Sequence, residues 1–308
     1  MHNIFQKTIA KELKFEGIGL HTGETARIKI SPANTNEGII FLRTDLNSNN
    51  KIVANFKNVS NAKLCTTLSN EFGVTVSTVE HLMAAFYILG IDNAVVEINK
   101  SEVPIMDGSS KDFIELLNSV GLKHQSKKRK IIKITNKFEF EYNGKTISIE
   151  PNDEGLEVDF KLNYKNKLIG NQSNRIKFYK DELEKIYSSR TFCLYEDIEK
   201  IKKNGLAKGG SLNNAIVVKD DKILNDGGLR NNKEFVNHKI LDLVGDFLLS
   251  GYRILGKVKC YQGGHELTNI FLKKLLNNPN VFIKSDFQNI VISKRTKLNQ
   301  SIKLAVNA

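Results

Sequence analysis

The sequence predicts an α+β protein built as two units of similar plan. Two observations lead there. Period-two apolar alternation and 3.6-residue apolar periodicity occur in the order strands then helices, twice over. Between the two runs lies Lys123-His124-Gln125-Ser126, followed by the basic stretch Lys127-Lys128-Arg129-Lys130, which is the best candidate boundary. A chain of 308 residues can bury one large core or two ordinary ones. Its 40% hydrophobic and 26% charged content excludes disorder and fibrous repeats.

The first unit, 1–124, carries strand-like alternation at 26–30, 52–56 and 94–98 around helical patterns at 78–89 and 111–119. The turn Gly17-Ile18-Gly19-Leu20-His21-Thr22-Gly23 is not a nucleotide loop: the third glycine of GxGxxG would fall at Thr22, and no P-loop lysine follows. Met106-Asp107-Gly108-Ser109 reads as a second tight turn. The second unit, 130–308, places strands at 131–134, 145–149 and 156–162 before helices near 180–187 and 234–250. An extra βαβ piece is expected at about 194–219, where a short helix at 197–203 meets Gly205 and Gly209-Gly210 before a strand at 215–218.

The formal charge of +12 raises the question of nucleic acid. The basic residues are spread out, and the one dense run at 127–130 has no aromatic stacking motif beside it, so a solvated basic surface is expected and no nucleic-acid partner. A phosphorylated substrate or an anionic membrane face fits the same charge. Cys65, Cys193 and Cys260 are far apart and form no CxxC, which suits a reducing compartment. The N-terminus lacks a signal-peptide core, and no apolar stretch of about 18 residues occurs. A cytoplasmic protein without stable membrane insertion is expected.

Three constellations could carry chemistry. Ser77-Thr78-Val79-Glu80-His81 heads an apolar helix. Ser77 and Glu80 match a capping box, and His81 is either a core histidine or a ligand. In the apolar helix around 234–250, His238, Asp242 and Asp246 recur at i, i+4 and i+8 and form one polar stripe. Such groups are costly to bury unless paired or metal-bound. Lys239 lies off that stripe, so a metal or catalytic role is favoured over a solvated face. Gly263-Gly264-His265 reads as a loop; it is not a zincin motif, because HExxH would need histidine where Asn269 stands.

Taken together, these segments resemble the LpxC family of UDP-3-O-acyl-N-acetylglucosamine deacetylases. The resemblance rests on Gly17 to Gly23, Ser77-Thr78-Val79-Glu80-His81-Leu82-Met83-Ala84-Ala85 and Val103-Pro104-Ile105-Met106-Asp107-Gly108-Ser109. It continues through Arg190-Thr191-Phe192, Gly209-Gly210-Ser211, His238 to Asp246 and Gly264-His265, in order and across essentially the whole chain. It implies two sheet-on-helix domains with the active site between them. It also implies a zinc site of His81, His238 and Asp242, with one position left open. Iron(II) could replace zinc in cells. Glu80 would be the general base, His265 the acid or cationic stabiliser, Asp246 its partner, and Thr191 a donor to the oxyanion.

The resemblance further implies substrate contacts for a UDP-linked acylated glucosamine. Phe192 would pack on the sugar, Lys239 and Lys145 would face the diphosphate, and Tyr164 and Asn163 would meet the uracil. Leu194, Ile198, Ala207, Gly210 and Val217 would line an apolar passage for the acyl chain. The sequence departs from relatives at Gln262, where some carry a phosphate-facing lysine, and at Lys63 and Thr268. The implied function is the committed deacetylation of lipid A synthesis, by a monomer. An amidohydrolase acting on another N-acylated sugar is the alternative; a basic nucleic-acid scaffold is disfavoured by the retained Glu80, Asp246 and His265. No fused second enzyme is expected after residue 308.

Overall fold

The structure, a computed structural model, describes residues 4–286. The fold is mixed α+β. The last part of the expected second unit, 287–308, lies outside the described residues.

A five-stranded sheet forms in the order Leu13–Ile18, Thr25–Pro32, Ala94–Ile98, Ile39–Arg43, Lys51–Val53. All its pairs are antiparallel except Ile39–Arg43 with Ala94–Ile98. A seven-stranded sheet is organised by the long strand Arg253–Tyr261. That strand runs antiparallel to Lys145–Glu150 and parallel to Leu156–Asn163 and Lys130–Ile134. Six helices are described: α1 (Glu80–Leu89), α2 (Lys111–Val120), α3 (Glu184–Tyr187), α4 (Tyr195–Lys203), α5 (Glu234–Leu248) and α6 (His265–Leu276). One apolar cluster runs from Ile9 and Ile28 through Phe86 and Val244 to Phe271, so both sheets share it with α1, α5 and α6.

Helices α1 and α5 cross closely at Gly245. A Cβ at that position would overlap the Glu80 carbonyl oxygen, so any larger residue would push the two helices apart. This crossing sets the N-terminus of α1 against the C-terminal half of α5. The piece Phe192–Leu194, α4, Ile216–Lys219 is a parallel βαβ unit as expected, extended by a short hairpin to Lys222–Ile223.

Several local expectations are corrected. The candidate boundary at 123–126 lies within strand Leu122–Lys128, paired antiparallel with Phe5–Ile9. The expected strand at 52–56 ends at Val53, and Phe56–Asn58 is a 3-10 turn capped by the Asn55 side chain. The capping box does not form. Thr78 takes φ +56, a strained value for a β-branched residue, and its hydroxyl donates to buried Glu102 at 2.8 Å. Ser77 Oγ donates to Ser101 O instead, and the cap position falls on Val79 without a side-chain bond. Glu80 is therefore free of the cap. His265 sits not on a loop but on the first turn of α6, whose buried Leu267, Phe271, Leu272 and Leu275 supply the helical period. All three cysteines are free thiols, and among the described residues no helix is long and apolar enough to cross a membrane.

Candidate active site

Three helix segments meet at one buried point. α5 contributes His238, Asp242 and Asp246 from successive turns, α1 contributes Glu80 and His81 from its first turn, and α6 contributes His265 from its start. All six are at most 7% exposed.

His81, His238 and Asp242 present ligand atoms that all lie within 4.8 Å of one another. His238 Nε2 is 3.3 Å and His81 Nε2 3.5 Å from Asp242 Oδ1. Asp242 Oδ1 is buried with no hydrogen-bond partner, as is His81 Nδ1. A buried carboxylate oxygen left in this way is costly, and a cation is the group that satisfies it. His238 Nδ1 lies 3.1 Å from the Ser189 carbonyl, an acceptor, so Nδ1 carries the proton and Nε2 is the free lone pair. Burial pushes His238 down to about 3, despite the pull of Asp242, which keeps the imidazole neutral as a ligand must be. Burial would raise Asp242, but His238, Lys239 and His265 outweigh it and hold the carboxyl well below its usual range. The donor set fits a metal ion.

Glu80 and His265 flank this set. His265 Nε2 is 3.5 Å from Glu80 Oε1 and 3.8 Å from Asp242 Oδ2, and its Nδ1 is 2.8 Å from Asp246 Oδ2. Burial raises Glu80 above the usual carboxylate range, against the pull of His265 and His81. Burial would lower His265, but Asp246, Glu80 and Asp242 outweigh it and lift it to about 10. A proton acceptor and a charged proton donor thus stand side by side.

The other expected contacts divide. Phe192 packs edge-on against Tyr164 at 5.7 Å and lies 6.3 Å from the His238 ring. Lys239 does not stand apart from the stripe: its Nζ lies 2.8 Å from Asp242 Oδ2 and 5.5 Å from the Phe192 ring centre. A flexible four-carbon stem at i, i+3 reaches where the helical wheel alone places it aside. Lys145, at the start of Lys145–Glu150, is exposed and not drawn into this cluster. Asn163 ends strand Leu156–Asn163, and Gln262, with φ +57, clasps it: Gln262 Oε1 accepts the Asn163 N–H at 3.1 Å and Nε2 donates to the Asn163 carbonyl.

A mostly apolar cavity of about 390 Å³ opens beside the site. Thr191, Phe192, Ile198, Ala207, Gly210 and Val217 line it. Leu194 is not among its lining residues and packs on the main core.

Glu234, its partner Arg190 and Thr66 are buried at the site without an expected role from the sequence. Glu234 is fully buried one turn before His238, extending the polar stripe to i−4, a signal present in the sequence. It holds buried Arg190 at 2.8 Å. Thr66, 1% exposed, touches Glu80, Asp246 and His265, and nothing local marks it.

Similarity to known proteins covers most of the chain. A family model described as UDP-3-O-acyl N-acetylglycosamine deacetylase, LpxC, matches residues 6–277. A protein of Pseudoalteromonas translucida named UDP-3-O-acyl-N-acetylglucosamine deacetylase is 44% identical over 276 residues, 89% of this chain and 91% of the relative. Proteins of the same name from Glaesserella parasuis and Wigglesworthia glossinidia brevipalpis are 40% and 39% identical, over 91% and 93% of this chain and 92% and 97% of theirs.

Proposed function

The chain belongs to the LpxC family, and from that premise we infer how its residues divide the work of an amide hydrolase that deacetylates UDP-3-O-acyl-N-acetylglucosamine in lipid A synthesis. The observation that carries the division is the placing of Glu80 and His265, 3.5 Å apart, beside the buried His81, His238 and Asp242 set.

We assign zinc to that set, with iron(II) as a cellular substitute. When bound, the metal supplies Lewis acidity to the amide carbonyl and acidifies water. Glu80, buried and raised in proton affinity, takes a proton from the attacking water. The water oxygen bonds to the acetyl carbon, and the carbon–nitrogen bond then breaks. His265 gives its Nε2 proton to the departing sugar nitrogen, since an amide nitrogen leaves poorly without one. Asp246 holds His265 Nδ1 and keeps the ring charged until that step. Thr191, at the cavity mouth, donates to the oxyanion. The products are acetate and the free amine.

For substrate, Phe192 offers its face to the glucosamine, and Tyr164 and Asn163 receive the uracil. Lys239 and Lys145 answer the diphosphate. The apolar cavity lined by Ile198, Ala207, Gly210 and Val217 takes the acyl chain. Gln262 is turned onto Asn163, which favours a role in shaping the uracil end over phosphate contact. We read residues 1–124 and 130–308 as the two units between which the substrate lies, and the protein as a cytoplasmic monomer without a nucleic-acid partner.

The test is metal content of the purified protein together with acetate release from UDP-3-O-acyl-N-acetylglucosamine, before and after chelation. Stoichiometric zinc, loss of release on chelation and recovery on zinc addition are expected. Undiminished release from metal-free protein would overturn the assignment.

A further inference from the structure

We propose that Thr66 is a positioning residue for this reaction: it fixes the ring and the Nδ1 proton of His265 while orienting the carboxylate of Glu80. The proposal rests on the acid and base roles given above to those two residues.

Thr66 precedes the short strand Thr67–Ser69 and is 1% exposed. Its backbone reaches α1: the N–H donates to Glu80 Oε2 at 3.0 Å, and the carbonyl accepts from Val79 N at 3.4 Å. Its hydroxyl reaches the other two helices, lying 2.6 Å from Asp246 Oδ1 on α5 and 3.2 Å from His265 Nδ1 on α6. One residue therefore contacts a side chain from each of the three helices that build the site.

The donors and acceptors close in one way. A carboxylate only accepts, and the Thr66 hydroxyl donates its single proton to Asp246 Oδ1. The Thr66 oxygen can then only accept from His265. Both neighbours of His265 Nδ1, Thr66 Oγ1 and Asp246 Oδ2, are acceptors, so Nδ1 is held protonated. The proton that the reaction moves is confined to Nε2, the nitrogen that faces Glu80 and Asp242. Two bonds at Nδ1 also prevent the ring from turning about its axis. On the base, the Thr66 N–H engages Oε2 and leaves Oε1 on the His265 side.

Thr66→Val keeps shape and backbone but deletes the hydroxyl. It is expected to lower kcat about 10- to 100-fold with little change in KM, the scale of a misoriented catalytic group. Zinc content stays near wild type, because the hydroxyl touches none of the three residues of the metal set; the thermal midpoint falls modestly, because the buried Asp246 Oδ1 loses a donor. Thr66→Ser restores kcat to within about threefold, since the hydroxyl returns. The second readout needs no turnover: the His265 Nδ1–H resonance, assigned by nitrogen-15 NMR, is slow to exchange in wild type and shifts or broadens in Thr66→Val. Wild-type kcat in Thr66→Val, a Thr66→Ser enzyme as slow as Thr66→Val, or an unchanged resonance would each overturn the proposal. Should Thr66→Val fail to fold, a rapidly exchanging or absent Nδ1–H in wild type does the same. Absence of acetate release from wild type is a separate result, and it strikes the assigned reaction rather than Thr66.

Discussion

Glu234 and Arg190 form an ion pair with their side chains 0% and 10% exposed, and it stands one helical turn before His238. Arg190 donates through Nε to Oε1 at 2.8 Å and through its backbone N–H at 3.1 Å, and the Arg230 N–H donates to Oε2 at 2.6 Å. The preceding residue, Ser189, supplies the carbonyl that fixes the His238 tautomer.

The pair is therefore expected to act on both stability and the metal. Arg190→Met leaves Glu234 buried and uncompensated, at a cost of about 3–5 kcal/mol. Thermal unfolding should show the loss directly. In protein that remains folded, zinc affinity measured by chelator competition should fall about 10- to 100-fold, through the displaced Ser189 carbonyl. Wild-type affinity in a clearly destabilised variant would separate the pair from the metal.

Glu80 and His238 are expected to fail differently. Glu80→Gln preserves shape and all three ligands, so zinc stays bound while deacetylation falls at least about 100-fold, the scale of general base catalysis. His238→Ala removes a ligand from a three-residue set, and zinc should be lost on gel filtration. Elemental analysis beside turnover distinguishes them; a fully active Glu80→Gln enzyme or stoichiometric zinc in His238→Ala would contradict the roles given.

The pH dependence of the metal-stripped protein follows from His265. Its folded value is about 10 against an ordinary 6.5, so between those values the folded state binds more protons than the unfolded one. Stability from this histidine is complete below pH 6.5 and is lost as pH rises through 10. Thermal midpoints of wild type and His265→Gln should therefore differ most below pH 6.5 and converge towards pH 10. A gap that widens with rising pH would have the opposite sign.

The cavity beside the site is expected to set chain tolerance. Val217→Phe adds bulk to a space of about 390 Å³. KM for a long-acyl substrate should rise several-fold, while a short-acyl substrate loses less. Steady-state kinetics with two chain lengths reads the difference; equal losses would place the acyl chain elsewhere.

The α5 stripe was legible because helix geometry converts spacing into direction: His238, Asp242 and Asp246 share a face in any regular helix. The βαβ piece and most helices were legible for the same reason, through periodicity. Lys239 is off the stripe by position and on it by charge, because a long stem swings its ammonium beyond the face its Cα occupies. His265 begins a helix although two glycines precede it, because the apolar period that follows them extends back to it.

By itself the sequence determined the imidazole and the two carboxylates on α5, the helical period that points them one way, and the family. Only the tertiary structure decided that Glu80 is free of a cap, that Gly245 lets α1 approach α5, and that Thr66 reaches three helices from a short strand. The physical reason is range. Periodicity fixes directions within one element, while contacts such as Thr66 with Asp246 and His265, 180 and 199 residues apart in sequence, exist only once separate elements pack.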